Sequence, residues 1–214
     1  YDGRWQSTDQ IPARAVSEGL IDRFGAIDPT DGGQSRRHSL SLAAAGDLGP
    51  GRFKALAYAI DYRLNLVSNF SYATDTVNGD QFEQFDDRRV AGGDFSWRRD
   101  FNALGLSQDL SLGLQYRRDD IGAVGLYRTR ARQRFETLRE DSVVQANSAV
   151  SASLGTRWLP WLRSVVGVRS DRFDFDVQSN VADNSGRSDD SITSPKFSLI
   201  AGPWRETELF FNIG

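Results

Sequence analysis

The chain has 214 residues, with 26 Lys+Arg against 29 Asp+Glu and a net charge of -3, so neither a polybasic nucleic-acid surface nor an acidic tail dominates. Zero Cys excludes thiol catalysis, thiolate metal sites and disulfides, and the single His, His38, excludes any site that needs two imidazoles. The longest stretch free of polar side chains, Ile121 to Tyr127, contains two glycines and falls far short of the roughly 20 apolar residues of a membrane-spanning helix.

There is also no Met, so the chain is expected to be a piece of a longer polypeptide. Residues 1–7 open it as a strand. From Pro12 to Phe24, Val16, Leu20, Ile21 and Phe24 fall at helical spacing and predict a short surface helix packed on a loop. Next comes Ile27-Asp28-Pro29-Thr30-Asp31-Gly32-Gly33. It is rich in oxygen but lacks the denser spacing of an EF-hand calcium loop, and it reads as an Asx-type turn closed by glycines.

Period-two alternation takes over from there, and successive strand side chains point to opposite faces. Over 35–46, Leu40 and Leu42 oppose Ser39 and Ser41. Over 52–68, Leu56, Tyr58, Ile60, Tyr62, Leu64 and Leu66 alternate with Ala55, Ala57, Ala59, Asp61, Arg63 and Asn65, which assigns the first set to an apolar face and Asp61 and Arg63 to a polar one. Over 88–99, Phe95 and Trp97 oppose Asp94, Ser96 and Arg98. The contrast is clearest over 104–119, where Leu106, Gln108, Leu110, Leu112, Leu114 and Tyr116 alternate with Ser107, Asp109, Ser111, Gly113, Gln115 and Arg117. Val144, Ala146, Val150, Ala152 and Leu154 give the apolar face of 141–158. In 162–178, Val166 and Val168 oppose Gly167, Arg169 and Asp171 before the aromatic phase switches to Phe173 and Phe175, which predicts a bulge or a strand leaving the membrane. Strands at 193–202 and 206–214 complete about nine, the last with Leu209, Phe211 and Ile213 against Glu208 and Asn212.

The breaks alternate in length. Short ones fall at residues 46–51, 100–103, 159–161 and 202–205, with Gly or Pro in three of the four, and long ones at about 8–34, 67–88, 119–141 and 178–192. Trp97, Trp158, Trp161 and Trp204 lie beside the short turns, with Tyr62 and Tyr116 toward the opposite strand ends, as interfacial girdles require. Short turns at one end, long loops at the other and strands long enough to cross a bilayer describe an all-β, antiparallel up-and-down meander of the bacterial outer-membrane type. Closed bacterial barrels of a single chain use even strand numbers. Nine strands are therefore expected to form a sector of a larger transmembrane β-barrel, with lipid and lipopolysaccharide against one face and a lumen against the other.

On that layout the enclosed charges of the polar face are candidate ligand- or plug-facing residues: Arg63, Asp109, Arg117, Arg169 and Asp171, beside Asp61. Ordinary ion pairing of charges enclosed in a hydrated barrel is the favoured reading of the same residues. Arg128, Arg130, Arg132, Arg134 and Arg139, interleaved with Tyr127 and Phe135, mimic a single-strand nucleic-acid stripe. The negative net charge and the absence of a nucleic-acid-binding fold argue against such a partner, and a solvated loop, a lipopolysaccharide-facing rim or a contact for an anionic iron chelate, with Arg128 and Arg130 as candidates, fits better. No catalytic constellation is present: His38 has no nucleophile assigned to it, and the carboxylate pairs Asp86-Asp87, Asp119-Asp120 and Asp189-Asp190 read as solvated turns. No enzyme activity and no cofactor are expected.

Several motifs, in this order and spacing, resemble the barrel of TonB-dependent outer-membrane receptors. They are Trp5 with Thr8-Asp9-Gln10-Ile11-Pro12, Arg14-Ala15, Arg23-Phe24 and the Ile27 to Gly33 run; Gly125-Leu126-Tyr127-Arg128-Thr129-Arg130; Trp158 with Trp161-Leu162; and Arg169, Asp171-Arg172-Phe173 with Asp174-Phe175. Ser194-Pro195-Lys196 and Glu208-Leu209-Phe210-Phe211-Asn212-Ile213-Gly214 follow. The resemblance implies a barrel of about 22 strands filled by an N-terminal plug. It also implies energy supplied through an inner-membrane TonB complex and import of scarce ligands such as ferric siderophores, cobalamin, haem, metal ions or sugars. Residues 1–214 are then expected to be barrel alone, without plug or TonB box, and a passive porin or substrate-specific channel is the alternative sharing the same alternation.

Overall fold

The computed structural model describes residues 1–6 and 10–214. Ser7 and the Thr8-Asp9 part of the first motif lie outside the described residues. The strands are β1 (Asp2–Gln6), β2 (Gly32–Leu48), β3 (Gly51–Ser68), β4 (Phe82–Ala103), β5 (Leu106–Arg130), β6 (Gln133–Leu159), β7 (Leu162–Ser179), β8 (Gly186–Trp204) and β9 (Thr207–Ile213). They form one sheet in sequence order, every neighbouring pair antiparallel. β1 and β9 are the open edges among the described residues.

Directly paired residues share a face, so the register sorts the side chains. One row runs Lys54, Ser96, Gly113, Ser151, Arg169, Ser194, and the next Arg98, Ser111, Ser153, Gly167, Lys196. Both rows border a cavity of about 1210 Å³ whose walls come from β2 through β9, so the sheet curves with this polar, small-residue face on its concave side. The rows between them point to the convex side. There Phe53, Trp97, Leu112, Ala152 and Val168 form one line, with Ala55, Phe95, Leu114 and Val150 beside it. Leu40, Leu42, Leu114, Val150, Val166, Phe211 and Ile213 are all more than half exposed there. Large apolar side chains left open on one face of a sheet, with polar ones on the other, require an apolar solvent on the first face.

Four tight turns stand at one end, at residues 49–50, 104–105, 160–161 and 205–206. Leu104 and Gly105 both have positive φ, the mirror-image geometry that matches strand twist in a two-residue hairpin. Trp97 donates its indole N–H to the Leu48 carbonyl at 3.0 Å, and Trp161 packs on Trp204 at 5.7 Å, so the tryptophan girdle lies at this end.

Several expectations change. β5 and β6 run to 25 and 27 residues, more than twice the 9–11 or so needed to cross a bilayer, and meet at a two-residue turn, Ala131-Arg132. The stretch read as a loop at 119–141 is thus a projecting hairpin. The carboxylate pairs Asp86-Asp87, Asp119-Asp120 and Asp189-Asp190 lie within strands, not solvated turns. The helix between Pro12 and Phe24 is one turn, Ala13–Ser17, that buries only Ala15, while Leu20 and Phe24 stay exposed.

The largest correction concerns β3. Lys54, Leu56, Tyr58, Ile60 and Tyr62 pair with concave residues of β4, and Ala55, Ala57, Ala59, Asp61 and Arg63 point outward. Its larger apolar residues fill the lumen side, Tyr58 covering Gly92, where a Cβ would stand 2.5 Å from the phenol oxygen. Tyr62 therefore belongs to no lipid girdle. In β7 the aromatic switch involves no bulge. Phe173 and Phe175 stack on the concave side at 6.4 Å, while Arg172, Asp174 and Asp176 replace Val166 and Val168 on the convex side. That is the second expectation, a strand leaving the apolar belt.

Candidate functional site: the concave face and its loop-bearing rim

Residues i and i+2 of a strand lie on one face roughly 7 Å apart, a span that an Arg side chain bridges to an Asp. On the concave face this spacing recurs. Arg169 grips Asp171 through Nε and Nη2 at 2.7 and 2.8 Å, and Arg117 reaches Asp119 at 3.0 Å. Arg88 pairs with Asp86, and Arg139 with Asp141 at 2.6 Å. Asp119, 1% exposed, also accepts the Gln145 amide at 2.6 Å. The tetrapeptides Asp86-Asp87-Arg88-Arg89 and Arg117-Arg118-Asp119-Asp120 each place one such pair on the concave face; on the convex face Arg118 stands 3.7 Å from Asp120, whereas Asp87 and Arg89 turn to Arg63 and Asp61 of β3. The concave pairs Asp86–Arg88, Arg117–Asp119, Arg139–Asp141 and Arg169–Asp171 run within strands rather than between neighbours.

Below this ladder, toward the tight turns, the concave wall is built of Ser96, Ser111, Gly113, Ser151, Ser153 and Gly167, with Lys54, Arg98 and Lys196 among them. No carboxylate lies in ion-pair range of these three cations among the described residues.

At the other end three segments are tied together around Gln81, 3% exposed. Its Nε2 donates to Asp28 Oδ2 at 2.8 Å and Thr30 Oγ1 at 2.7 Å. Its Oε1 accepts Thr129 Oγ1 and the Arg132 backbone N–H, both at 3.0 Å. Asp28 takes further bonds from the Thr30 backbone N–H, Thr30 Oγ1 and Asn69 Nδ2, the expected Asx turn extended into a clamp. Burial acts to raise the Asp28 pKa, but the bonds from Asn69, Thr30 and Gln81 outweigh it, and the net direction is down.

The neighbouring loop, residues 69–81, is wound around two more carboxylates. Asp75 accepts the Asn78 and Val77 backbone N–H groups, the Asn78 side-chain amide and Arg130, and is held down to about 2, with the Asn78 backbone bond the largest cause. Asp80 is lowered chiefly by the Thr74 backbone N–H, with Ser71, Asp75 and Ala73 adding to it.

Asp109, Arg117, Arg169 and Asp171 stand on the concave face, as expected. Asp109 lies over Gly155, which has no side chain to obstruct its carboxylate. Arg63 does not join them: it is convex, 3.8 Å from Asp87. Arg128 pairs with Glu136 across the projecting hairpin at 3.4 Å, and Arg130 with Asp75 at 3.1 Å. Arg132 donates to the Thr30 and Asp31 carbonyls. Arg134 holds Glu83 through two bonds and lies 3.6 Å from the centre of the Tyr127 ring. Arg130, Arg132 and Arg134 of the stripe therefore fasten the hairpin to neighbouring segments, while Arg128 and Arg139 pair within it. Gln81 and Asn69 carry much of this clamp, yet neither is marked by alternation or motif; the legible signal is only their position flanking a turn-rich run.

A curved meander with a polar concave face, an apolar convex face, tight turns at one end and braced loops at the other defines an outer-membrane-type β-barrel wall. The particular family follows from comparison: "TonB dependent receptor-like, beta-barrel" matches residues 1–214, and the chain belongs to it. Its members are outer-membrane transporters rather than enzymes. No curated protein sequence matches. The fold resembles the unliganded ferric citrate transporter FecA with a TM-score of 0.73 at 12% identity, covering 99% of this chain and 31% of that one. It also resembles BauA, the ferric preacinetobactin receptor from Acinetobacter baumannii, with a TM-score of 0.62 at 11% identity, covering 85% and 30%. The chain thus spans about a third of these structures.

Proposed function

We propose that residues 1–214 are part of the barrel of an outer-membrane receptor that imports a scarce ligand, a ferric siderophore or another metal chelate. In this reading a plug domain of the same parent chain fills the lumen and a TonB complex drives release. The observation that carries the reading is the family match along the whole chain, on a sheet whose concave face is polar and whose convex face is apolar. The two structural relatives are by title a ferric citrate transporter and a ferric preacinetobactin receptor, which supports an iron chelate as cargo. Asp109, Arg117, Arg169 and Asp171 would face plug or cargo, while Arg128 and Arg130 would act by bracing the loops through which cargo enters. No observation favours the passive-channel alternative.

The test is uptake of radioiron by cells whose only receptor is the full-length parent, offered as the citrate, a hydroxamate or a catecholate complex, with and without a functional TonB. Uptake of one complex that disappears without TonB is the expected result. Uptake indifferent to TonB would replace active import by a passive channel.

A further inference from the structure

On the convex face the apolar belt ends abruptly. Leu42, Ala57, Gly93 and Tyr116 form one row, and Leu40, Ala59, Ala91 and Arg118 the next. Above these come His38, Asp61, Arg89 and Asp120. The change from hydrocarbon-facing to charged residues is completed within two rows, each about 7 Å from the last. A cleft of about 570 Å³ straddles that boundary, with Leu40, Ala59, Ala91 and Arg118 in its lower row and His38, Asp61, Arg89 and Asp120 in its upper one. It exists because β3 and β4 carry only methyl groups between the bulky side chains of β2 and β5.

Arg89 is 85% exposed, and its nearest carboxylate, Asp61, stands at 3.8 Å; Arg118 stands 3.7 Å from Asp120. Both are ion pairs longer than a hydrogen bond, so each guanidinium, though partly neutralised, has N–H donors left for another acceptor. Arg36 draws Asp61 the other way at 3.3 Å. Cations placed where a lipid-facing surface turns polar meet the head groups of the adjoining leaflet, and their planar forks suit phosphate.

We infer that this cleft is a binding site for a phosphorylated lipid of the outer leaflet, the lipid A moiety of lipopolysaccharide. A phosphate takes donors from Arg89 and Arg118, and an acyl chain lies against Leu40, Ala59 and Ala91. The inference rests on the reading of this chain as an outer-membrane barrel. It fits the register correction in β3, because only with Ala57, Ala59 and Asp61 facing outward does the trough meet the charges.

The experiment uses the full-length parent, purified in detergent, and measures retention of bisphosphorylated lipid A by native mass spectrometry. Dephosphorylated lipid A with the same chains and inorganic phosphate serve as comparison ligands. Arg89→Ala with Arg118→Ala should weaken bisphosphorylated lipid A about thirtyfold, at about fivefold for each cation near a membrane surface. Ala59→Trp, which fills the trough and leaves both cations, should weaken it as well, and it decides the matter if the double variant loses the heat-modifiable migration of a folded barrel. Equal retention by parent and variants, or equal binding of the dephosphorylated lipid, would overturn the inference. So would displacement by inorganic phosphate alone, which would leave a simple anion site. The import reading fails separately, by TonB-independent uptake with lipid retention intact. The barrel reading fails by fractionation of the parent away from the outer membrane.

Discussion

Gln81 satisfies both ends of its amide from opposite directions, giving hydrogens to Asp28 and Thr30 and taking them from Thr129 and Arg132. Truncation removes one of the two amide donors to Asp28 Oδ2 and takes away the acceptor of both the buried Thr129 hydroxyl and the Arg132 backbone N–H. Gln81→Ala should therefore cost about 1–3 kcal/mol of local stability. It should read out as faster amide hydrogen exchange at Thr30, Asn69 and Arg132, with the strands below unaffected. On the membrane wall, consecutive residues have opposite surroundings. Leu112 is convex within the apolar belt and Ser111 borders the lumen. Leu112→Arg in the full-length parent should cost about 2–4 kcal/mol if the side chain lies near the bilayer midplane, with Ser111→Arg much milder. Equal unfolding free energies for the two would contradict this facing.

At the scale of the element, alternation identified the strands but could fail on facing. In β5 the two sets, Leu110, Leu112 and Leu114 against Ser111, Gly113 and Gln115, differ in polarity, and the pattern reads directly. In β3 both sets are largely apolar, Tyr and Leu against Ala. Bulk alone favours the wrong side, because a lumen packed against Gly92 takes large side chains and the lipid face takes small ones. Only pairing with β4 decides it. A bimane label at Ala57→Cys should accordingly be quenched by nitroxides on lipid chains, and the same label at Tyr58→Cys should be spared. The strand extension 119–141 was hidden for a related reason: its alternation is written in charges, Arg128 opposite Glu136, which resemble a loop until the cross-strand partner is known. Loop 69–81 carries a pH signature. Asp75 is lowered in the folded state to about 2 and Asp80 is lowered too, so their contribution is complete above the ordinary value of 3.8 and is lost as pH falls, for Asp75 through about 2. A spin label at Val77→Cys should stay immobile from pH 7 to 4 and loosen between 4 and 2, and Asp75→Asn should loosen it at neutral pH.

Among the described residues there is no central core of the soluble kind: outside β3 and the end of β7 most large apolar strand side chains stand on the convex face, and polar ones line a concavity open along β1 and β9. An edge strand presents a row of unpaired N–H and C=O groups, which within a bilayer cannot be satisfied by water. β9 carries a single charge, Glu208, beside Leu209, Phe211 and Ile213, all more than half exposed, so little on it discourages pairing with another chain. Residues 1–214 refolded alone in detergent micelles should therefore gain strand content and yet run as a polydisperse, edge-paired population in size-exclusion chromatography. They should not show the heat-modifiable band of a closed barrel. Supplying the remaining barrel strands of the parent as a separate chain should convert part of that population to a single heat-modifiable species. A monodisperse, heat-modifiable product from residues 1–214 alone would mean that β1 and β9 close on each other or on a second copy. The sector reading would then give way to a small barrel or a symmetric oligomer.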